Sequence, residues 1–188
     1  MSEDHFDPGW GPALRILPLM MLPFVGMLRA VKSANSLMVM RSLWMLFVGA
    51  IAAMGVMAVV VLFADGIEGA MSQSLALVIA VGISVSAQLL VGRMVADPDL
   101  SAETVFVPSF QRWFFARVAA AEVAALVSFA MFIASASPLV YFVGGAISLA
   151  AMWDARPGRT RLSRFQAAAD EETGLSVVRA LERRGLTR

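Results

Sequence analysis

Long apolar runs separated by short polar breaks dominate the chain from Ser42 onward. Ser42–Ala64 is 23 residues without a charge, and Gly69–Gly92 is a second such run of 24. Between Val118 and Trp153 the only charged residue is Glu122. Crossing a ~30 Å hydrocarbon layer as a helix takes ~20 apolar residues, so the first two runs each read as one crossing. The third is too long for one crossing and contains Ser135-Ala136-Ser137-Pro138. An interior proline costs a helix ~3 kcal/mol and serines favour a turn, so this run divides in two. The pattern predicts an all-α integral membrane protein with four transmembrane helices, at about residues 42–64, 70–92, 111–134 and 138–153. The last is short and relies on its neighbours or on local bilayer thinning.

The flanks read differently. Ile16–Leu28 is apolar but only 13 residues long, lies between Arg15 and Arg29, and contains Pro18 and Pro23. It is too short to span. An acidic start and the lack of a small-residue cleavage site argue against a secretory signal. The segment reads as interfacial or shallowly re-entrant. Its methionines Met20, Met21 and Met27 also suit an adaptable contact with a partner. Residues 1–41 thus form a cytoplasmic or interfacial segment. Residues 154–188 form a polar basic tail. In the tail, Leu162, Phe165 and Ala169 share a helical face, as do Leu175, Val178 and Leu181. Asp170–Thr173 and Gly174 separate the two pieces.

Charge fixes the expected orientation. All 15 Lys and Arg residues fall before the first helix, at the end of the second, in the opening turns of the third, or after the fourth. Four crossings put every one of them on one side. The positive-inside rule then places both termini in the cytoplasm. Trp44, Trp113 and Trp153 fall at the same helix ends, where interfacial anchors belong. Arg156, Arg159, Arg161 and Arg164 could meet anionic phospholipid headgroups, at ~1 kcal/mol per well-placed arginine. Serving only as a topological anchor is an equally good reading. Acidic residues interrupt the arginines and no nucleic-acid-binding motif is present, so no nucleic-acid partner is expected.

Composition narrows the function further. Fifty-nine per cent of the 188 residues are hydrophobic and 15% are charged, against ~45–50% and ~25% in soluble domains. There is no cysteine and one histidine. Walker A, GxSxG and HExxH motifs are missing, as are paired carboxylates. The expectation is a non-enzyme with no cofactor and no metal site. Arginine in place of lysine, with abundant Ala, Val and Gly, is usual in GC-rich bacterial genomes and points to a bacterial inner membrane.

Glu122 is the exception within the apolar runs. Counted from Gln111, it lies ~16 Å along its helix, near the bilayer midplane. A charge there costs at least ~2.5 kcal/mol, which makes it a functional-site candidate by default. Gln88 is at matching depth, as are Ser84, Ser86 and Ser148. Three readings follow. Glu122 fastens helices through a hydrogen bond to Gln88 or a carbonyl, carries an ion or proton, or meets a partner subunit. Arg117, ~9 Å in, either snorkels to the interface or meets a partner or lipid phosphate. Ala116, Ala120 and Ala124 are spaced by four and allow close helix approach, within the bundle or to a partner, including a second copy.

Two resemblances add to this reading. VGISVSAQLLVGRMVADPDL followed by FFARVAAAEVAALVSFAMFI, within residues 81–133, resembles the hairpin of the rotary ATP synthase c subunit. That resemblance implies ion translocation on Glu122. It also departs from the family, because the first helix is not glycine-striped and two further helices flank the hairpin. The whole chain resembles small four-helix membrane proteins of actinobacteria, including accessory subunits of Mce-type lipid importers. The likeness rests on its length, its layout, RSLWMLF at the first helix and the Arg-rich tail after AAMW. This resemblance implies association with a larger membrane complex and no catalytic residue. A lipid-sensing regulator acting through the tail is a third reading.

Overall fold

A computed structural model describes residues 7, 9–20, 35–63 and 68–182. Seven helices occur among them: α1 (Gly11–Met20), α2 (Ser36–Phe63), α3 (Gln73–Met94), α4 (Glu103–Ser135), α5 (Pro138–Ala155), α6 (Arg159–Glu172) and α7 (Val177–Glu182). The described residues hold helices and no strand, and α2 to α5 are each long and apolar enough to cross a membrane. The chain divides into two compact units. One comprises Met1–Leu46, Asp97–Phe114 and Arg156–Arg188; the other comprises Phe47–Ala96 and Phe115–Ala155.

Two of the four long helices outrun the apolar runs that predict them. α2 starts at Ser36, where 42 is expected, because the Asn35 side chain accepts a hydrogen bond from the Met38 N–H at 2.8 Å and caps it. α4 starts at Glu103, eight residues before 111. Its start carries an acid in the first turn, where the helix dipole favours one. Pro108 lies near that start and does not break the helix. Ser72 caps α3 by accepting from the Leu75 N–H. Pro138 opens α5, where its missing N–H is no loss. The interfacial segment expected over 16–28 begins inside α1, which contains Pro18. Residues 21–28, with Met21 and Met27, lie outside the described residues.

In the unit of Phe47–Ala96 and Phe115–Ala155, α5 is the centre. Ala76 and Ala80 of α3 pack on Val140 of α5, and Ala58 of α2 joins Phe132 of α4 and Tyr141 of α5. Phe129 meets the Tyr141 ring edge-on at 5.8 Å. Gly144 lets α4 come close: a Cβ there would overlap the Ser128 side chain. Gly145 has only ordinary contacts, with Tyr141 at 3.6 Å. At one end, the Met71 N–H donates to the Ala134 carbonyl, and Gly69 lies against the Ser135 backbone with no room for a side chain.

The other unit is assembled on Arg41, which is 1% exposed. Its guanidinium grips both Asp7 carboxylate oxygens, at 2.8 and 2.7 Å. It also donates to the Gly9 carbonyl and, at 3.1 Å, to the Pro157 carbonyl. The Trp10 ring lies 5.3 Å from its Cζ and tilts against Trp44. Ser42 donates to the Ala13 carbonyl of α1. One side chain therefore ties together the N-terminal segment, the start of α2 and the loop before α6.

A cluster of Phe106, Phe110, Trp113 and Phe165 joins α4 to α6, with the Arg161 guanidinium over the Trp113 ring at 5.1 Å. Leu162 and Ala169 are buried on the expected α6 face. In α7 the buried set is Val177, Ala180 and Leu181, so the face is rotated from the one through Leu175 and Val178. Gly174, at φ 69°, turns the chain between α6 and α7, and its N–H returns to the Ala169 carbonyl. Gln166 then holds both sides of the turn through the Leu175 carbonyl and the Val177 N–H.

Burial alone would raise the Asp7 carboxyl, but hydrogen bonds from Arg41 and the Gly9 N–H, with the charges of Arg41 and Arg159, outweigh it and hold the group below 3.8. A depressed folded-state value means the pair stabilises fully above pH 3.8 and loses its effect as pH falls further. Arg41→Met is expected to cost about 3 kcal/mol, and Arg41→Lys to recover little because it cannot grip both oxygens. Thermal melts in detergent from pH 7 to pH 3 check this, and the gap between wild type and Arg41→Met narrows on the acid side. Gly144→Ala is expected to cost about 1–3 kcal/mol by overpacking, whereas Gly145→Ala stays within about 1 kcal/mol of wild type in the same melts.

Candidate functional site

Several of the polar groups inside the apolar helices lie on α4 and α5. Arg117 and Asp154 form an ion pair at 2.9 Å, 37 positions apart in sequence. The antiparallel run of α4 and α5 brings them together. At 26% and 55% side-chain exposure, such a pair is worth at most about 1 kcal/mol. It gives Arg117 a partner from the chain itself. One and a half turns further along α4 comes Glu122, about 8 Å beyond Arg117.

Glu122 is half-buried, and its Oε1 has no hydrogen-bond partner among the described residues. The Nε2 of Gln88 is in the same condition. The expected bond between the two is not formed. α3, which carries Gln88, packs on α5. Ser84 donates instead to Ala80 of its own helix at 2.6 Å. Ser148 does bridge helices, donating to the Ala121 carbonyl at 2.7 Å. Ser148 thus joins the Arg117–Asp154 pair in fastening α4 to α5, at the residue before Glu122.

Tyr141 is the residue that composition gave least reason to single out. It is the one tyrosine in the chain, 2% exposed, and its hydroxyl donates to the Ile51 carbonyl of α2. Glu122 is within electrostatic reach of it. Its ring fills the space left by two glycines: a Cβ at Gly55 would come within 3.3 Å of it, and one at Gly145 within 3.6 Å. Beside this ring, α2 and α5 enclose an open apolar groove of about 500 Å³ that passes Ile51, Gly55 and Val59 on one wall and Tyr141, Gly145 and Leu149 on the other. The only sequence signal was a lone tyrosine in an apolar helix that also holds paired glycines.

The other candidate residues disperse. Ala124 is fully buried at the Gly144–Ser128 contact, Ala120 is buried, and Ala116 is half-buried. Gly144 of α5 lies against the Ala124 carbonyl. Met20 ends α1. Of the tail arginines, Arg159 and Arg164 are exposed, while Arg156 and Arg161 are half-buried. Arg161 is engaged with Trp113, and Arg159 acts electrostatically on Asp7. The four therefore do not form one uniform basic face. Among the described residues, no three His, Cys, Asp or Glu side chains come together as a metal site would require.

Ser148→Ala and Tyr141→Phe are each expected to cost about 1 kcal/mol, because each removes a hydrogen bond between helices. Glu122→Gln removes none of the described bonds and is expected to melt with wild type. Unfolding in detergent with each variant measures the difference. No family model, curated protein or solved structure matches this chain.

Proposed function

We propose that this chain is a non-enzymatic accessory or assembly subunit of a larger bacterial inner-membrane complex, a lipid importer of the Mce type or another transporter. Both termini face the cytoplasm in this reading, as the positive-inside rule requires. The observation that carries it is the folded unit built on Arg41. Orienting a membrane protein takes only positive charge in loose flanks. Ordering a backbone costs about 1–2 kcal/mol per residue, and a flank that serves only as an anchor gains nothing from it. Three separated flanks gathered around one guanidinium and an aromatic cluster present a defined surface, which is what a partner recognises. α2 and α3, whose spanning faces are covered less than those of α4 and α5, offer further area within the bilayer.

A second reading is a c-subunit-like oligomer that moves a proton or ion on Glu122. The unbonded Oε1 favours it. The two readings separate in one experiment. The chain, tagged at its C terminus at the chromosomal locus and extracted in mild detergent, is expected to co-elute with a larger membrane complex in fixed stoichiometry. Glu122→Gln is expected to leave that association and the activity of the complex unchanged. A homogeneous ring of this chain alone, with transport abolished by Glu122→Gln, would overturn the accessory reading.

A further inference from the structure

α6 carries its charges in the order opposite to the one its backbone favours. A helix dipole stabilises acids in the first turn and bases in the last. α6 has no acid in its first turn and no base in its last. Arg159, Arg161 and Arg164 lie in its first half, and Asp170, Glu171 and Glu172 in its second. Two of these arginines act inside the unit, Arg161 on Trp113 and Arg159 on Asp7. Arg164 and Glu171 are different. Both are exposed, and neither forms a hydrogen bond or ion pair with a described residue. They do not serve each other either. At seven residues they share a side of the helix but stand about 10.5 Å apart along it, beyond the three- and four-residue spacings that pair.

A second copy of α6, laid antiparallel, supplies what each lacks. A two-fold axis midway between the two positions sets Arg164 of each copy opposite Glu171 of the other. The basic half of each helix then lies against the acidic half of its mate, and the two backbone dipoles oppose. The surface between the charges suits close approach. Ser163 and Ala167 are small and exposed, and the axis falls beside Ala167. Helices that meet at small side chains come to about 8 Å, within reach of an arginine and a glutamate.

We propose that this face of α6, centred on Ala167, is a two-fold contact between two copies of the chain, closed by reciprocal Arg164–Glu171 ion pairs. Two exposed ion pairs bind weakly between free molecules. Between chains held in one membrane the effective concentration is high, and a small contact suffices. Such a contact uses the same patch on both copies, so it closes at two. The proposal stands independently of the accessory-subunit reading, because it rests on α6 alone.

The test is disulfide capture in this cysteine-free chain, on the full protein in the membranes of the cells that express it. Oxidation of Ala167→Cys is expected to convert most of the chain to a covalent dimer. Thr160→Cys is exposed on the same face, but in the antiparallel register its two copies stand about 22 Å apart along the helices. It is expected to give at least tenfold less dimer, since a disulfide needs its Cβ atoms within about 4.5 Å. In the Ala167→Cys background, Arg164→Glu and Glu171→Arg are each expected to cut capture at least fivefold, and the two together to restore it. Restoration by the double reversal shows that the single losses are not unfolding. Absence of capture at Ala167→Cys overturns the proposal and leaves the face to solvent or to a different protein. Capture indifferent to the single reversals, or not restored by the double one, also overturns it. Equal capture at the two cysteines marks a parallel or random encounter and overturns the two-fold register.

Discussion

The Arg41 guanidinium is the constraint on which the unit built from the flanks depends. It is buried, permanently charged and planar, so its environment must supply a carboxylate and carbonyls in matching geometry. Asp7, Gly9 and Pro157 do so from two segments nearly 150 residues apart in the chain. Removing the acid would strand a charge, and removing the arginine would strand the acid. The N-terminal segment and the loop before α6 therefore hold their places together, and the aromatic cluster joins α4 to α6 within the same unit.

The spanning unit solves a different problem. Lipid tails are as apolar as leucine side chains, so hydrophobic burial does little to hold its helices together. Close packing and a few hydrogen bonds take over. α5 supplies both: glycines where a neighbour must approach, and Tyr141 and Ser148 donating to carbonyls on α2 and α4. The glycine that admits the Tyr141 ring from α2 also leaves the groove beside it. Packing of the bundle and the shape of its hydrocarbon-facing surface thus come from the same residues.

The four helices were legible in the sequence because a run of ~20 apolar residues matches a bilayer crossing, and a chain of this size has no core large enough to bury four of them. Their ends were less so. The Asn35 cap and the first turns of α4 lie outside the apolar runs, and length cannot report on them. The face of α6 followed from periodicity, whereas the face of α7 did not, being six residues long with apolar positions on more than one side. Arg41 read only as one more positive charge, because its partner lies 34 residues away with nothing local to mark it. Arg117 hid its partner for the same reason, with Asp154 on the next helix. Glu122 was visible at once as a lone acid. Which groups surround it depends on how the helices pack, and the pattern did not show that α3 would sit on α5.

The charged flanks of this chain thus form a folded unit organised by one ion pair, the platform on which the proposed association rests. Hydrogen–deuterium exchange on the purified full chain tests this most directly. The amides of α6, Arg159–Glu172, are expected to be strongly protected in wild type, and Arg41→Met to release them while those of α5 stay protected. Rapid exchange throughout α6 in wild type, or protection there indifferent to Arg41→Met, would contradict it.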